Sequence, residues 1–534
     1  MNSRMSQTTI SANSRLEKAQ VNGALQWLIV GAWSILPFAA VMIAPENSMR
    51  AYFWTVVGVL GFLCFVSYAV WFGLTEALLI GLVFITNSAL SDPDYLPRVS
   101  FLGGNFFFSD FYIVLACCSI LVIGTRRKGE LLGGYRSHFI ALTSVVLLSL
   151  CVGLNRGAEV HYVLRELHPL IYYPLTIFLT VCALENPGAL WRILVVTTDI
   201  VILSCAATLW QLLLISRFQF MTYASPVFGL SQGETLDAQS IRPPSQWLFL
   251  VFLLAAFAAY PLWKKHRILV TGVIALDSLC IFLGYSRTIF LAIAGGLVAF
   301  ALMRKRAFVP FVWSMVKTTV IVFMILVVIR SAAKEVAPGY WEAFEERIIG
   351  SFETNLVDSD RPFVFGSRIY EITMAIDHIK QHPFLGLGAG AAYREILPFE
   401  YSQTEVSENP EDGRHFMHNT YLYVWMKYGL WGALAAGWIV WHFLRRTWIF
   451  ARWPGSEALV PRGILVAFIG LAIANLVAPG FIASPATPTL VGLMAGLVEA
   501  GYSRYRLRET RALTSEHGPS PLKGMTNVDP RVAS

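Results

Sequence analysis

The sequence predicts an all-α polytopic membrane protein with about 14 transmembrane helices and one large helical loop between spans 11 and 12. Three observations carry this expectation. Hydrophobic residues make up 56% of the 534 positions and charged residues 14%, where a soluble domain carries about 25% charged residues. Mean hydropathy is +0.57. The apolar runs approach the roughly 20 residues that a bilayer crossing needs. They are continuous and do not alternate, so each satisfies its backbone as a helix rather than as a barrel strand. An ordinary soluble enzyme, a disordered chain and a collagenous chain are excluded. The net charge of +7 is small for this length. It reads as lysine and arginine in loops on one side of a membrane, and no nucleic-acid partner is expected.

The candidate spans run at 24–44, 51–71, 74–90, 107–124, 138–154, 168–185, 190–215, 246–263, 268–285, 288–303, 310–330, 421–443, 463–482 and 487–502. The first is too long for a signal-peptide core and no small-residue cleavage site follows it, so it reads as an uncleaved span. A split is expected near residue 72, and Pro479 and Pro485 interrupt the last pair. Basic residues recur in every second loop: Arg4, Arg15 and Lys18; Arg126, Arg127 and Lys128; Arg192; Lys264, Lys265 and Arg267; Arg304, Lys305 and Arg306; Arg445 and Arg446; Arg504, Arg506 and Arg508. An even span count puts all of them on one side, the cytoplasm, together with both termini.

The expected organisation is a cytoplasmic tail at 1–23, spans 1–11 over 24–330, a helical cap at 331–420, spans 12–14 over 421–502, and an irregular cytoplasmic tail at 503–534. Ile369, Ile372, Ile376 and Ile379 recur at helical spacing in the cap and predict a helix with a buried apolar stripe. The cysteines Cys64, Cys117, Cys118, Cys151, Cys182, Cys205 and Cys280 all sit in apolar runs. They imply neither a disulfide framework nor a zinc site.

Several residues stand out for chemistry. Arg287, after Ser286, falls at the tip between two apolar segments, at the outer membrane surface. There a guanidinium either binds phosphate oxygens in bidentate fashion or simply snorkels to the interface. Arg242, in Ser240-Ile241-Arg242-Pro243-Pro244, meets the same headgroup level. Arg361 and Arg368 lie in the acidic cap, Arg368 at the expected start of a helix; each either grips phosphate or pairs with a carboxylate such as Glu371. His418, in His415-Phe416-Met417-His418-Asn419-Thr420-Tyr421, suits general-base work near neutral pH at the edge of a cleft, or else caps a helix. His415 and His418 at i, i+3 would share a helix face, yet no third metal ligand has convincing spacing, so no metal is expected. The strings Asp92-Pro93-Asp94 and Asp358-Ser359-Asp360 are carboxylate pairs that either hold Mg²⁺ or Mn²⁺ on a diphosphate or, being short, arise by chance. Asp199, Asp277 and Lys317 fall near mid-span, where ionisable groups are functional or pair between helices, as Asp277 with Lys317.

Ordered motifs add a resemblance. His418-Asn419-Thr420-Tyr421-Leu422-Tyr423 followed by Tyr428-Gly429-Leu430-Trp431-Gly432 resembles the O-antigen ligase and polymerase family. His382-Pro383-Phe384-Leu385-Gly386-Leu387-Gly388 resembles the stretch that precedes it in that family. Gly284-Tyr285-Ser286-Arg287 is similar to the family's hairpin tip, and Phe108-Ser109-Asp110 to its entry into an early span. The resemblance spans roughly residues 100 to 450. It implies a bacterial inner-membrane glycosyltransferase with a large periplasmic loop, which takes a glycan from undecaprenyl diphosphate and gives it to a hydroxyl of lipid A-core or of a growing polysaccharide. It implies His418 and Arg287 as catalytic, Arg287, Arg368, Arg242 and Arg361 on the diphosphate, and no metal or other cofactor. Membrane lipids are the remaining partners. The rival readings are a transporter or flippase for lipid-linked oligosaccharide, coupled through Asp199, Asp277 and Lys317, and a scaffold of a polysaccharide assembly.

Overall fold

The computed structural model describes residues 49–87, 99–101, 104–106, 112–119, 133–217, 246–260, 267–284, 286–303, 363–395, 412–453, 458–478, 480–483 and 485–516, with positions 122, 262, 313, 317, 320 and 324. The apolar runs become helices: α1 (Met49–Phe72), α2 (Leu74–Asn87), α3 (Arg136–Asn155), α4 (Val160–Ala183), α5 (Ala189–Arg217), α6 (Gln246–Ala259), α7 (Arg267–Leu283), α8 (Arg287–Met303), α9 (Phe363–Gln381), α10 (Asp412–His415), α11 (Thr420–Ala451), α12 (Leu459–Ala474), α13 (Gly480–Ala483) and α14 (Ala486–Glu516). One short antiparallel hairpin, β1 (Val99–Phe101) with β2 (Gly104–Phe106), interrupts the all-helical pattern. By length and composition α3, α4 and the Ala189–Ala206 part of α5 can cross a membrane; α2, α6, α12 and most of α8 are shorter apolar helices. This is a membrane protein. The expected spans at 24–44 and most of 310–330, and Arg242 and Arg361, lie outside the described residues.

The bundle is held by close helix contact. α14 lies along α4, and α12 along α6 and α8. A Cβ added to Gly492 would come within 2.8 Å of the Thr176 side chain and 3.0 Å of the Tyr173 carbonyl, so the small residues of α14 let the two backbones approach. Outward-facing Ile140, Leu147, Leu148, Leu291, Val298 and Leu302 remain exposed, as a lipid-facing surface requires. At the end of the bundle that carries Arg446, this residue pairs with Glu499, which also accepts from the Gly134 N–H at 3.0 Å. There Arg192 grips Glu76 through two bonds of 2.5 and 2.6 Å and ties α5 to α2.

The structure departs from the expected boundaries in four places, each with a local cause. α11 is kinked: Gly429 adopts φ 68°, ψ −171°, so the run expected as one span at 421–443 is a short helix to Tyr428 followed by a long one. The run expected at 463–482 ends at Ala474, because Asn475 turns the chain: its Oδ1 accepts from the Phe481 N–H (2.8 Å) and the Thr420 hydroxyl (2.9 Å). α14 continues as helix to Glu516, past the expected end at 502. In α9 the buried face carries Glu371 and Ala375, while Ile369, Ile372 and Ile376 are exposed; only Ile379 of that stripe packs inward. The spacing predicts the stripe as the packing face. A buried carboxylate with specific partners takes that place instead.

The glycine-rich segment after α9 threads into the kink of α11. Leu387 N–H donates to the Met426 carbonyl (2.8 Å), Gly388 N–H to Lys427 (3.0 Å), and Leu430 N–H to Pro383 (2.8 Å). Gly386 sits at φ +69°, and an added Cβ there would lie 2.5 Å from the Lys427 carbonyl; one at Gly429 would collide with the Phe384 carbonyl. Only glycine allows this crossing. Behind it, the fully buried Lys427 Nζ donates to Glu166 Oε1 at 2.6 Å and to the Ala391 carbonyl, while Glu166 Oε2 accepts from the Gly390 N–H at 2.8 Å. A separate small core of Val163, Ala375, Leu387, Tyr393, Met417 and Tyr423 surrounds this crossing.

Removing one partner of a buried ion pair leaves the other uncompensated and typically costs about 3–5 kcal/mol. Lys427→Met and Glu166→Gln are each expected to lower the thermal unfolding midpoint of the purified protein sharply. The double variant is expected to recover part of the loss, because it strands no charge.

Candidate functional site

The site is built on the end of the bundle where α9 meets the start of α11. The chain leaves α10 at His415, runs irregularly through Phe416–His418, and enters α11 with Asn419 as N-cap; Asn419 Oδ1 accepts from the Tyr421 and Leu422 N–H groups at 3.1 and 3.0 Å. This cap fixes His418 just outside the helix. Its ring Nδ1 lies 3.0 Å from both carboxylate oxygens of Glu371, and its backbone N–H donates to Glu371 Oε2 at 3.2 Å. Glu371 is 3% exposed. On its other side stands the buried Arg394, with Nη2 at 3.8 Å from Oε1.

The imidazole is therefore oriented from behind. With Nδ1–H held by the carboxylate, Nε2 carries the free lone pair and points away from Glu371, and the His418 side chain is 43% exposed. Carboxylate–histidine pairs of this form set the tautomer and stabilise the imidazolium that forms on proton uptake. His415 does not share the face of His418: its ring stacks on Tyr162 with centroids 3.7 Å apart and an interplanar angle of 12°. The i, i+3 pairing expected of the two histidines fails because α10 ends between them. Among the described residues no group of three His, Cys, Asp or Glu is arranged to hold a metal ion. Both Asp-x-Asp strings lie outside the described residues.

The arginines are placed by their helices. Arg368 lies inside α9, five residues past its start and not at its opening as expected. It is three residues before Glu371 in the chain. Arg287 begins α8, with Ser286 at the tip accepting from the Ile289 N–H at 3.0 Å. α8 runs antiparallel to α12: a Cβ on Gly470 would approach the Ala292 carbonyl (3.0 Å), and one on Gly296 the Val466 carbonyl (3.3 Å). Extending that register brings Arg287 level with Asn475. Asn475 in turn accepts from the Thr420 N–H at 3.1 Å, two residues from His418. The start of α8, the turn after α12 and the start of α11 thus share one end of the bundle.

Other basic groups border this end. Arg156 donates to the Gly386 and Leu387 carbonyls, both at 3.1 Å, and lies 3.4 Å from His382 Nδ1. Burial, then the neighbouring Arg156 and His378, lower the pKa of His382 below the ordinary histidine value. A neutral ring is what an arginine donor at its Nδ1 requires. Arg165 lies over the Phe416 ring at 5.0 Å.

Residues 270–437 match the O-antigen ligase family model. The O-antigen ligase match runs from α7 past the kink of α11 and takes in Arg287, Arg368, Glu371, Lys427 and His418. The O-antigen ligase description implies a glycosyltransferase-like enzyme. No curated protein matches the chain.

The sequence alone did not single out Glu166, Lys427, Arg394 or Arg156, and it named Glu371 only as a partner for an arginine. A signal existed for Lys427, a lysine inside an apolar run. The mid-span ions it did single out behave differently. Asp277 is fully buried with neither carboxyl oxygen bonded. Lys317 is exposed beside the Trp313 ring at 5.8 Å, so the expected Asp277–Lys317 pair does not form.

The site predicts a chemical signature. Diethyl pyrocarbonate followed by peptide mass spectrometry is expected to acylate His418 at Nε2 well before His415 and His138, which are 6% and 5% exposed. Equal labelling of the three would contradict the open Nε2.

Proposed function

We propose that this protein transfers a glycan from undecaprenyl diphosphate to an acceptor hydroxyl, of lipid A-core or a growing polysaccharide, at the periplasmic face of the bacterial inner membrane. Both termini are cytoplasmic in this reading. The observation that supports it best is the Glu371-oriented imidazole of His418 at the same bundle end as the tip bearing Arg287. In the transfer, the acceptor oxygen forms the new bond to the anomeric carbon as the bond from that carbon to the diphosphate oxygen breaks. The acceptor proton passes to His418 Nε2, and Glu371 stabilises the resulting imidazolium. The leaving polyprenyl diphosphate gathers negative charge. Arg287 and Arg368, with Arg242 and Arg361, are assigned to its oxygens, where guanidinium groups form bidentate, charge-assisted bonds.

Removing a charge-stabilising donor of this kind typically costs about 10²–10³ in rate, and removing a general base about 10²–10⁴. In proteoliposomes with a lipid-linked donor, Arg287→Ala and His418→Ala are expected to lose transfer by such factors while still inserting. Glu371→Gln combined with His418→Ala is expected to be little worse than His418→Ala alone, since the two act as one unit. The transporter reading draws on the unpartnered carboxyl of Asp277. It predicts the reverse: loss with Asp277→Asn and full activity with Arg287→Ala. That outcome would overturn the transferase reading.

A further inference from the structure

Arg394 has no part in the transfer proposed above, yet the fold buries it against Glu371. The side chains of Arg394 and Glu371 are each 4% exposed, and Nη2 stands 3.8 Å from Oε1. Position 394 is fixed by its neighbour. Tyr393 N–H donates to the Arg414 carbonyl (2.9 Å), its hydroxyl donates to the Phe416 carbonyl (3.2 Å), and its own carbonyl accepts from His378 Nε2 (2.7 Å). One residue is thereby tied to α9, to α10 and to the segment that carries His418. An arginine is rarely buried this far unless a charge answers it.

The distances separate two roles. His418 reaches both oxygens of Glu371, at 3.0 Å from its ring Nδ1 and at 3.2 Å from its backbone N–H. Arg394 stands farther off, so it adds charge without displacing the imidazole. Through the shared Oε1 it lies within about 7 Å of His418 Nδ1. A guanidinium keeps its charge at every physiological pH.

That charge bears on base catalysis. An anion beside a titratable group favours its charged form. A buried carboxylate at 3.0 Å, acting alone, would hold a proton on His418 before any acceptor arrived, and a protonated imidazole is no base. A fixed cation behind the carboxylate opposes that uptake. Glu371 and His418 take up protons as a pair, and removing the cation makes uptake easier wherever the proton then sits. The other charged and titratable groups nearby stay constant when Arg394 alone is changed. His415 stacks on Tyr162 of α4, and Arg165 of α4 lies over the Phe416 ring. Lys427 of α11 and Glu166 of α4 hold each other, and on α9 Asp377 pairs with Lys380. Arg368 belongs to α9, Arg414 to α10, and Glu395 is exposed.

We propose that Arg394 is a positioning residue: through Glu371 it keeps His418 unprotonated near neutral pH, ready to take the proton of the acceptor hydroxyl. Its role in turnover rests on the transferase reading; its effect on the imidazole does not. Diethyl pyrocarbonate acylates the neutral ring, so the pH dependence of His418 labelling in the full-length protein reads the midpoint of proton uptake. Exposed His161 serves as internal reference. Arg394→Gln is expected to raise the His418 midpoint by about one pH unit, a tenfold gain in proton affinity. Water around the imidazole, whose side chain is 43% exposed, keeps the shift to that size. Arg394→Lys keeps the charge and is expected to leave the midpoint near that of the unmodified protein. Should the stranded carboxylate stop Arg394→Gln from folding, a Glu371→Gln background removes it; there, adding Arg394→Gln is expected to give the same rise. The acid limb of transfer is expected to move with the labelling. A labelling shift with no transfer even in the unmodified protein supports the assignment and counts against the transferase reading instead. A midpoint unmoved or lowered by Arg394→Gln, or moved as far by Arg394→Lys, would overturn the assignment.

Discussion

Everything at the end of the bundle that carries His418 rests on the buried contact of Lys427 with Glu166. A lysine and a glutamate, both withdrawn from solvent, are each held by two bonds: the ammonium to Glu166 and the Ala391 carbonyl, the carboxylate to the ammonium and the Gly390 N–H. Desolvating two ions is costly, and their attraction offsets that cost only when geometry and remaining hydrogen bonds are good. Here the pair fixes three pieces of chain at once: α4, the glycine segment after α9, and the first turns of α11. The glycine crossing and the kink at Gly429 make room for it. Replace either glycine and the carbonyls that it clears would be struck.

Position follows from that junction. The kink directs the short first part of α11 away from the axis of its long second part, and Asn419 caps it so that His418 lies outside the helix. α9 is drawn across the same junction, bringing Glu371 under His418 and Arg394 behind Glu371. The buried carboxylate replaces the apolar stripe as the inward face of α9. Its reason for burial is orientation of an imidazole, and Arg394 supplies the positive charge that makes such burial tolerable. The isoleucines on the opposite face are left exposed, as suits a helix lying against a membrane or a lipid substrate.

The helices were largely legible in the sequence. Continuous apolar runs mark α3, α5, α7 and α8 to within a few residues, because a membrane segment must be both apolar and helical. The tip at Ser286-Arg287 and the histidine at 418 were legible too, since a charged or titratable residue at the edge of an apolar run has few roles. What was not legible came from three-dimensional pairing. Glu166 and Lys427 are 261 positions apart, and nothing local says that they meet. Glu371 and Arg394 read as ordinary charges of an acidic loop. Spacing also misled where backbone changed direction: His415 and His418 suit one helical face only if the helix continues, and the isoleucine stripe of α9 suits a core only if no carboxylate claims the other side.

The central claim is that the α8 tip and His418 serve one diphosphate-linked sugar. Photo-crosslinking tests it most directly, using a polyprenyl diphosphate whose first sugar carries a photoreactive group. The account predicts adducts in both the 286–290 and the 415–420 peptides, competed away by unlabelled donor. Adducts confined to the opposite end of the bundle, around Arg192 and Arg446, would contradict it.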